Sequence, residues 1–139
     1  MNIFIVGSGR VGSDLAKMLS ISGHNVVLID INPDAFKKLG SSFNGLTITG
    51  SGTDEILLRD IKADKADIFV AITDKDNINI MSAQIAKFIF KIPKVIVKLT
   101  DTEREIILRK QDIDIVSGTR LISAFIWNEI SIKPYKTDK

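Results

Sequence analysis

The chain has 139 residues, 45% of them apolar and 26% charged, which suits one folded domain and is too short for a nucleotide-binding domain plus a separate substrate domain. It contains no cysteine, which excludes disulfides, zinc–thiolate sites and thiol catalysis, and a net charge of only +2 gives no indication of nucleic-acid binding. No apolar run approaches the ~20 residues of a membrane helix, and the first residues lack the pattern of a signal peptide.

Short runs rich in β-branched residues alternate along the chain with longer segments of helical periodicity. The runs predict strands at residues 3–6, 26–29, 46–48, 68–72, 95–99 and 113–116. Nearly every position in them is apolar, which is typical of parallel strands that are buried on both faces. These strand–helix units in series predict an α/β fold of the Rossmann type, a doubly wound parallel sheet with the order 3-2-1-4-5-6.

The predicted helices after the first and fourth strands each show an apolar face. On the first helix this face consists of Val11, Leu15, Met18 and Leu19. On the helix after the fourth strand it consists of Ile78, Met81, Ile85 and Ile89. Gly23 is expected to end the first of these helices and Pro93 to stop the other. The helices after the second, third and fifth strands are expected to be shorter.

A glycine motif, Gly7-Ser8-Gly9-Arg10-Val11-Gly12, follows the first strand directly and opens the first helix. In this context Gly7 permits a tight turn, Gly9 lets the backbone approach a pyrophosphate, and Gly12 lets helix and strand pack closely. The phosphates would then meet the positive end of the helix. The Arg10 guanidinium has three possible places: folded onto the phosphates, reaching a neighbouring subunit, or in solvent.

An acidic residue, Asp30, ends the second strand about 20 residues beyond the motif, where a carboxylate binds ribose hydroxyls. Ile31 and Asn32 follow it directly and are included among the candidate binding residues. A carboxylate here repels a 2′-phosphate, so NADP should bind less well than NAD or adenosine nucleotides. Asp30 is also placed to cap the segment that follows it, and the two roles are compatible.

Polar residues follow the other strands at the same predicted edge of the sheet, where open parallel sheets bind ligands. They are Ser51, Gly52 and Thr53 after the third strand, Thr73 and Asp74 after the fourth, Asn79 early in the next helix, and Lys98 at the end of the fifth strand. Taken singly, each is more often a turn or cap residue. Together they predict a nucleotide cradle in which Ser51 and Thr53 bond an adenine or ribose and Thr73 closes over the phosphates.

The sequence has few residues placed to act as nucleophile, acid or base, so no catalytic residue is predicted. Its single histidine, His24, falls in a predicted loop before the second strand, and Gly12 is followed by Ser13 and Asp14 rather than the Lys-Ser/Thr of a P-loop. Asp74, Asp76 and Asp101 are candidates to gather around a divalent cation. Solvated loop and cap positions suit them better, so no metal site is expected.

The last predicted helix carries more apolar residues than one stripe can hold: Leu121, Ile122, Phe125, Ile126, Trp127 and Ile130. Such a helix needs cover on more than one side. The sheet is expected to cover one side. The remaining side indicates either tight terminal packing or a dimerisation helix, and an exposed patch of this kind favours the interface.

Further motifs accompany the glycine turn. They are Gly23-His24, residues 26–30 with Asn32, the turn at 50–53, and Ala71-Ile72-Thr73 through Asn77 and Asn79. With Arg10 and the final helix, they resemble the N-terminal domain of TrkA- and Ktr-type potassium-uptake regulators, the KTN or RCK domain. The sequence differs from that family at Ser51 (usually Asp), at Lys98 (usually Arg) and at Ser117-Gly118-Thr119 (usually Ser-Pro-Glu).

The resemblance implies a cytoplasmic, non-enzymatic subunit that binds NAD(H), ATP, ADP or AMP. It implies a homodimer, possibly assembled into a ring, docked on an integral-membrane potassium transporter at the inner face of the membrane, with the final helix as crossover and dimer element. The length of the chain predicts one domain, residues 1–139, and the C-terminal ligand-sensing domain of many relatives is expected to be absent. Two alternatives stay open: an NAD-dependent oxidoreductase or a fragment of one, and a structural module with a vestigial site.

Overall fold

A six-stranded parallel sheet forms the centre of the fold in a computed structural model that describes residues 1–132. In chain order its strands are β1 (Asn2–Val6), β2 (Asn25–Asp30), β3 (Leu46–Thr49), β4 (Ile68–Ala71), β5 (Lys94–Lys98) and β6 (Asp114–Val116). Their spatial order is β3-β2-β1-β4-β5-β6, and every neighbouring pair is parallel. The predicted Rossmann-type doubly wound sheet and its strand order are confirmed.

Helical segments connect the strands. They are α1 (Arg10–Ile21), a 3-10 helix (Pro33–Leu39), α2 (Glu55–Asp60), a second 3-10 turn (Ala63–Lys65), α3 (Asp76–Gln84) with a π-helical extension (Ile85–Ile89), α4 (Glu105–Lys110) and α5 (Gly118–Ile132). The helical segments after β2, β3 and β5 are short, as expected. Gly23, just past the end of α1, has a φ of +88°, a backbone conformation that favours glycine.

Two apolar layers lie on the two faces of the sheet, because successive strand side chains point to opposite sides. On one face Ile3, Ile5 and Leu28 pack with Ala16 of α1 and Leu39 of the 3-10 helix. On the other face the strands pack with α2, α3 and α4 through residues that include Phe4, Phe69, Leu58, Ala83 and Leu108. Burial on both faces explains why the strands are apolar at nearly every position.

The predicted buried face of α1 was wrong in part. The helix buries small residues, Gly12, Ser13 and Ala16, whereas Val11 and Met18 are 60% and 65% exposed. Larger side chains at the contact would hold the helix further from the sheet, because packed interiors leave little free volume. Apolar periodicity therefore identified the helix correctly but assigned two of its large residues to the wrong side.

A similar difference occurs on α3 and its π-helical extension. The buried positions there are Asn79, Ser82, Ala83 and Ala86, while Met81 and Ile89 are 53% and 46% exposed. A π-helical segment adds residues per turn and so rotates the following side chains relative to an α-helix. That rotation bears on Ile89 and not on Met81, which precedes the π-helical segment, and the predicted apolar face did not include it.

The final helix, α5, extends away from the sheet. None of its residues is buried, and Phe125 and Trp127 are 69% and 71% exposed. The expectation that the sheet covers one side of this helix was therefore wrong, and so was the alternative of tight terminal packing. Within residues 1–132, no helix is long and apolar enough to cross a membrane.

Candidate functional site

A cleft of about 240 Å³ opens at the carboxyl ends of the central strands. Its lining consists of Val6, Gly7, Ile29, Asp30, Ile31, Gly50, Ser51, Gly52, Thr73, Asp74, Lys75 and Ile78. The structure thus brings Gly7, Asp30, Ile31, Ser51, Gly52 and Thr73 together from segments that are far apart in sequence. This is the edge of an open parallel sheet at which ligands bind.

The glycine turn is built so that backbone approaches backbone. Gly7 has a φ of +111°, and a Cβ there would lie 2.9 Å from the carbonyl carbon of Ile72 and the nitrogen of Thr73. A Cβ on Gly12 would lie 1.9 Å from the Gly7 oxygen, so no side chain fits at that position. A Cβ on Gly9 would meet nothing within 4 Å, which leaves open space beside the start of α1.

The Asp30 carboxylate is oriented by two backbone amides. Ser8 N donates to its Oδ2 at 2.7 Å, and Asn32 N donates to its Oδ1 at 2.9 Å. One contact ties Asp30 to the glycine turn, and the other caps its own loop, as the sequence allowed. A carboxylate can accept about four hydrogen bonds, so both oxygens keep acceptor capacity for ribose hydroxyls.

Other residues of the glycine motif are placed differently. The Ser8 hydroxyl is buried and lies 3.0 Å from Ser13 Oγ and 3.3 Å from the Ala35 oxygen, so only the backbone of Ser8 faces Asp30. Val11 and Arg10 are exposed and are not among the residues that line the cleft. Arg10 stands at the first position of α1, at the positive end of that helix.

The turn after β3 is held by its own hydroxyl groups. Ser51 Oγ and Thr53 Oγ1 are 2.7 Å apart, and Thr53 N donates to Ser51 Oγ at 3.1 Å. Ser51 lines the cleft, whereas Thr53 is not among the lining residues. Asp54 caps α2 by accepting hydrogen bonds from Ile56 N and Leu57 N. Of the two predicted adenine or ribose contacts, Ser51 therefore lies at the cleft and Thr53 does not line it.

The segment after β4 is fixed by Asn79, which is fully buried in α3. Its side chain contacts Thr73 at N, Oγ1 and O, and it donates to the Lys98 oxygen at 3.0 Å. Lys98 therefore takes part through its backbone, and its side chain is not among the residues that line the cleft. The sequence drew attention to Asn79 by its position early in the helix and as part of the motif that carries the family resemblance. Its four contacts depend on the meeting of β4, β5 and α3.

Asp76 joins the loops that follow β4 and β5. Its carboxylate accepts from Thr100 N at 2.9 Å and from Asp101 N at 2.7 Å, and Arg104 contacts Asn77 nearby. Burial raises the pKa of Asp76, but hydrogen bonds from Asp101 and Thr100 and the charge of Lys98 outweigh it, so the pKa lies below its ordinary value. Asp76 thus holds the loop after β5 against the start of α3.

No cluster of three or more acidic or histidine side chains suited to a metal ion occurs among residues 1–132. Lys75 and Ile78 line the cleft without having been predicted. Ile78 had been assigned to the apolar helix face, because a residue at the mouth of a cleft and a core residue look alike in sequence. Lys75 directly precedes α3, and that position was its only signal.

The sequence model of the TrkA-N domain family matches residues 3–118. The Trk system potassium uptake protein TrkA of Streptomyces coelicolor is 39% identical over 120 residues, which cover 86% of this chain and 54% of that protein. A TrkA homolog of Pyrococcus abyssi is 33% identical over 129 residues, covering 89% of this chain and 57% of that protein. The chain thus spans little more than half the length of these relatives.

Solved structures share the fold at low sequence identity. The TrkA-N domain of an inner membrane protein of Escherichia coli superposes with a TM-score of 0.81 at 17% identity, covering 91% of this chain and 94% of that one. An AMP-bound Kef CTD of Shewanella denitrificans gives a TM-score of 0.75 at 16% identity, covering 99% and 85% of the two chains.

Proposed function

Because this chain belongs to the TrkA-N domain family, we propose that it is a regulatory, non-enzymatic domain of a potassium transport system and that it binds NAD(H) or an adenine nucleotide. The relatives that bear the TrkA name support the potassium link. The ligand is proposed to act by preferring one conformation of the domain, since a ligand shifts an equilibrium only through a difference in affinity.

The observation that carries the proposal is the pairing of the glycine turn with Asp30 in one cleft. Gly7 and Gly12 allow the turn to lie against β4 and the start of α1, where backbone N–H groups and the helix dipole favour phosphate. Asp30, hydrogen-bonded to Ser8 N, supplies an acceptor for ribose on the same cleft. A phosphate site beside a diol site suits a nucleotide.

The remaining site residues predicted from the sequence are proposed to assist in stated ways. Gly9 gives access to the phosphates and Arg10 adds positive charge at the start of α1. Ile31, Ser51 and Gly52 are proposed to contact the nucleoside, because they line the cleft beside Asp30.

We propose that the domain acts as a homodimer, possibly part of a ring, that contacts an integral-membrane potassium transporter at the inner face of the membrane, and the exposed helix α5 supports the homodimer. Large apolar side chains such as Phe125, Ile126 and Trp127 are exposed along its length. Contiguous apolar surface of this kind marks interaction sites in folded proteins. A second copy of the chain is proposed to cover it, and the transporter is proposed to respond to the shape of the assembly.

A thermal-shift panel with NAD, NADH, NADPH, AMP, ADP and ATP tests the proposal. A ligand present at a hundred times its dissociation constant stabilises the fold by about 2.7 kcal/mol, which raises the midpoint by several degrees. We expect NAD(H) or an adenine nucleotide to raise the midpoint and NADPH to do so least. A nucleotide-free preparation that responds to none of the six ligands would contradict the proposal and favour a structural module.

A further inference from the structure

The orientation of the Asn79 side-chain amide is determined by its neighbours. The Thr73 and Lys98 carbonyl oxygens can only accept hydrogen bonds, so Nδ2, 3.0 Å from each of them, must be the amide end that faces them. Thr73 N can only donate, so Oδ1, 2.9 Å from it, must face that amide. In the opposite orientation the amide nitrogen would face the donor Thr73 N, and the amide oxygen would face the Thr73 and Lys98 carbonyl oxygens. Both mismatches would lie in a fully buried place, where unpaired polar groups are costly.

This orientation decides where the hydroxyl hydrogen of Thr73 goes. Thr73 Oγ1 lies 2.6 Å from Asn79 Oδ1 and 3.2 Å from the Lys75 carbonyl oxygen, and both of these oxygens are acceptors. A hydroxyl has one hydrogen to donate. The shorter contact favours Asn79, and in either case the hydrogen is used within the protein.

One acceptor position of the Thr73 hydroxyl remains. An alcohol oxygen has two lone pairs, and Lys75 N donates to one of them at 3.2 Å. The other is left at the wall of the cleft, which Thr73 lines. Thr73 also stands next to the glycine turn, since a Cβ on Gly7 would lie 2.9 Å from Thr73 N.

We propose that Thr73 determines specificity by accepting a hydrogen bond from a sugar hydroxyl of the bound nucleotide, with Asn79 as the positioning residue that consumes the threonine hydrogen. Phosphate oxygens are acceptors and do not pair with an oxygen that has no hydrogen to offer. The donor nearest to a phosphate-binding turn is a hydroxyl of a sugar joined to those phosphates. This inference rests on the proposed nucleotide-binding function, and it replaces the expectation that Thr73 closes over the phosphates.

The test combines a substitution at residue 73 with removal of a sugar hydroxyl from the ligand, and it compares the resulting affinities. Wild type, Thr73→Val and the matched control Thr73→Ser are titrated with two ligand sets that differ in sugar hydroxyls. One set is AMP with 2′-deoxy-AMP and 3′-deoxy-AMP, and the other is ADP-ribose with ADP. A single neutral hydrogen bond changes affinity by roughly 2- to 12-fold. We expect Thr73→Val to weaken binding by that factor for the ligand that carries the hydroxyl and to leave the affinity for the ligand without it unchanged. The affinities of Thr73→Ser should stay close to those of the wild type.

Two results would overturn the assignment while leaving the proposed function intact. One is an equal loss of affinity in Thr73→Val for all ligands of both sets, which indicates a phosphate contact. The other is no loss of affinity for any ligand that the wild type binds. If the wild type binds none of these ligands and none of the six nucleotides of the thermal-shift panel, the proposed function and the inference fail together.

A ligand-free measurement checks the positioning role of Asn79. NMR should detect a Thr73 hydroxyl proton that exchanges slowly with water, because it is donated to a fully buried oxygen. Asn79→Ala should abolish that signal. A hydroxyl proton that exchanges at the same fast rate in both forms would contradict the proposed role.

Discussion

At the scale of single residues, the glycine turn offers a direct comparison between two neighbouring positions. A methyl group on Gly12 would lie 1.9 Å from the Gly7 oxygen, whereas one on Gly9 would lie in open space. We expect Gly12→Ala to destabilise the fold by about 1–3 kcal/mol or more, because backbone must shift to admit the methyl. Thermal or urea unfolding measures the difference.

Gly9→Ala serves as the control for that experiment. It should leave the unfolding midpoint near wild type and weaken nucleotide binding, because the added methyl occupies the space beside the phosphate-binding backbone. If Gly12→Ala were as stable as Gly9→Ala, the helix and the turn would not approach as closely as described.

Asp30 permits a second prediction, which concerns the choice between ligands. Asp30→Asn removes the negative charge and one acceptor oxygen, so the affinity for NAD or adenine nucleotides should fall by roughly 10- to 100-fold, the effect of a hydrogen bond to a charged group. The difference in affinity between NADH and NADPH should become smaller, since the carboxylate no longer repels the 2′-phosphate. Isothermal titration measures both effects.

The control for Asp30→Asn is Asp34→Asn, which makes the same change in charge at an exposed side chain of the adjacent helix. It should bind like wild type. Equal losses in the two variants would mean that the general charge of this region, rather than the Asp30 carboxylate, governs affinity.

At the scale of secondary-structure elements, an ion-pair cluster ties α5 to the rest of the fold. The buried Glu105 of α4 contacts Arg109 at 2.7 Å and Arg120, in the first turn of α5, at 2.9 Å. Hydrogen bonds from Arg109 and Arg120 hold the pKa of Glu105 below the ordinary value of 4.5. This cluster fixes where α5 begins to extend.

The lowered pKa of Glu105 predicts a pH dependence with a definite sign. The stabilisation is complete above the unfolded value of 4.5 and is lost as the pH falls through the lower folded value, where the carboxylate is protonated. The gap in unfolding midpoint between wild type and Glu105→Gln should therefore be largest near neutral pH and should close in acid.

Glu55→Gln is the matched control, because Glu55 pairs with Arg59 at the same i,i+4 spacing on an exposed surface. Exposed pairs of this type contribute about 0.3–0.5 kcal/mol, so this variant should change little at any pH. A gap for Glu105→Gln that is independent of pH would contradict the role given to the carboxylate.

The strands were easier to predict than the helix faces, for a physical reason. A buried parallel strand is apolar on both sides, so Ile3 or Val95 reads as core in either register. A helix that crosses close to a sheet buries Ser13 and Ala16, which apolarity does not single out. In the same way, single residues such as Asp30 predicted the cleft, but the Asn79 network depends on the convergence of three elements and was not predicted.

At the scale of the whole molecule, the exposure of α5 predicts self-association. The apolar surface of Phe125 and Trp127 should become buried in a dimer, so analytical ultracentrifugation should detect dimers at micromolar concentration. Phe125→Glu should shift the population to monomers, because a charge in an apolar interface is desolvated without a partner.

Ile56→Glu is the control for that shift. Ile56 is equally apolar and is 74% exposed on α2. Its variant should remain dimeric. If both variants are dimers, or if the wild type is monomeric at every concentration, α5 is not the interface between two copies of the chain.

The two amides that orient the Asp30 carboxylate also have a kinetic consequence. Ser8 N and Asn32 N hold the acceptor in place before any ligand arrives, so an incoming ribose waits for no rearrangement of that residue. In stopped-flow measurements the rate of the initial binding phase should rise linearly with ligand concentration, and any change in the conformation of the domain should appear as a separate phase. Differences in affinity among related nucleotides should then reside mainly in how long each stays bound.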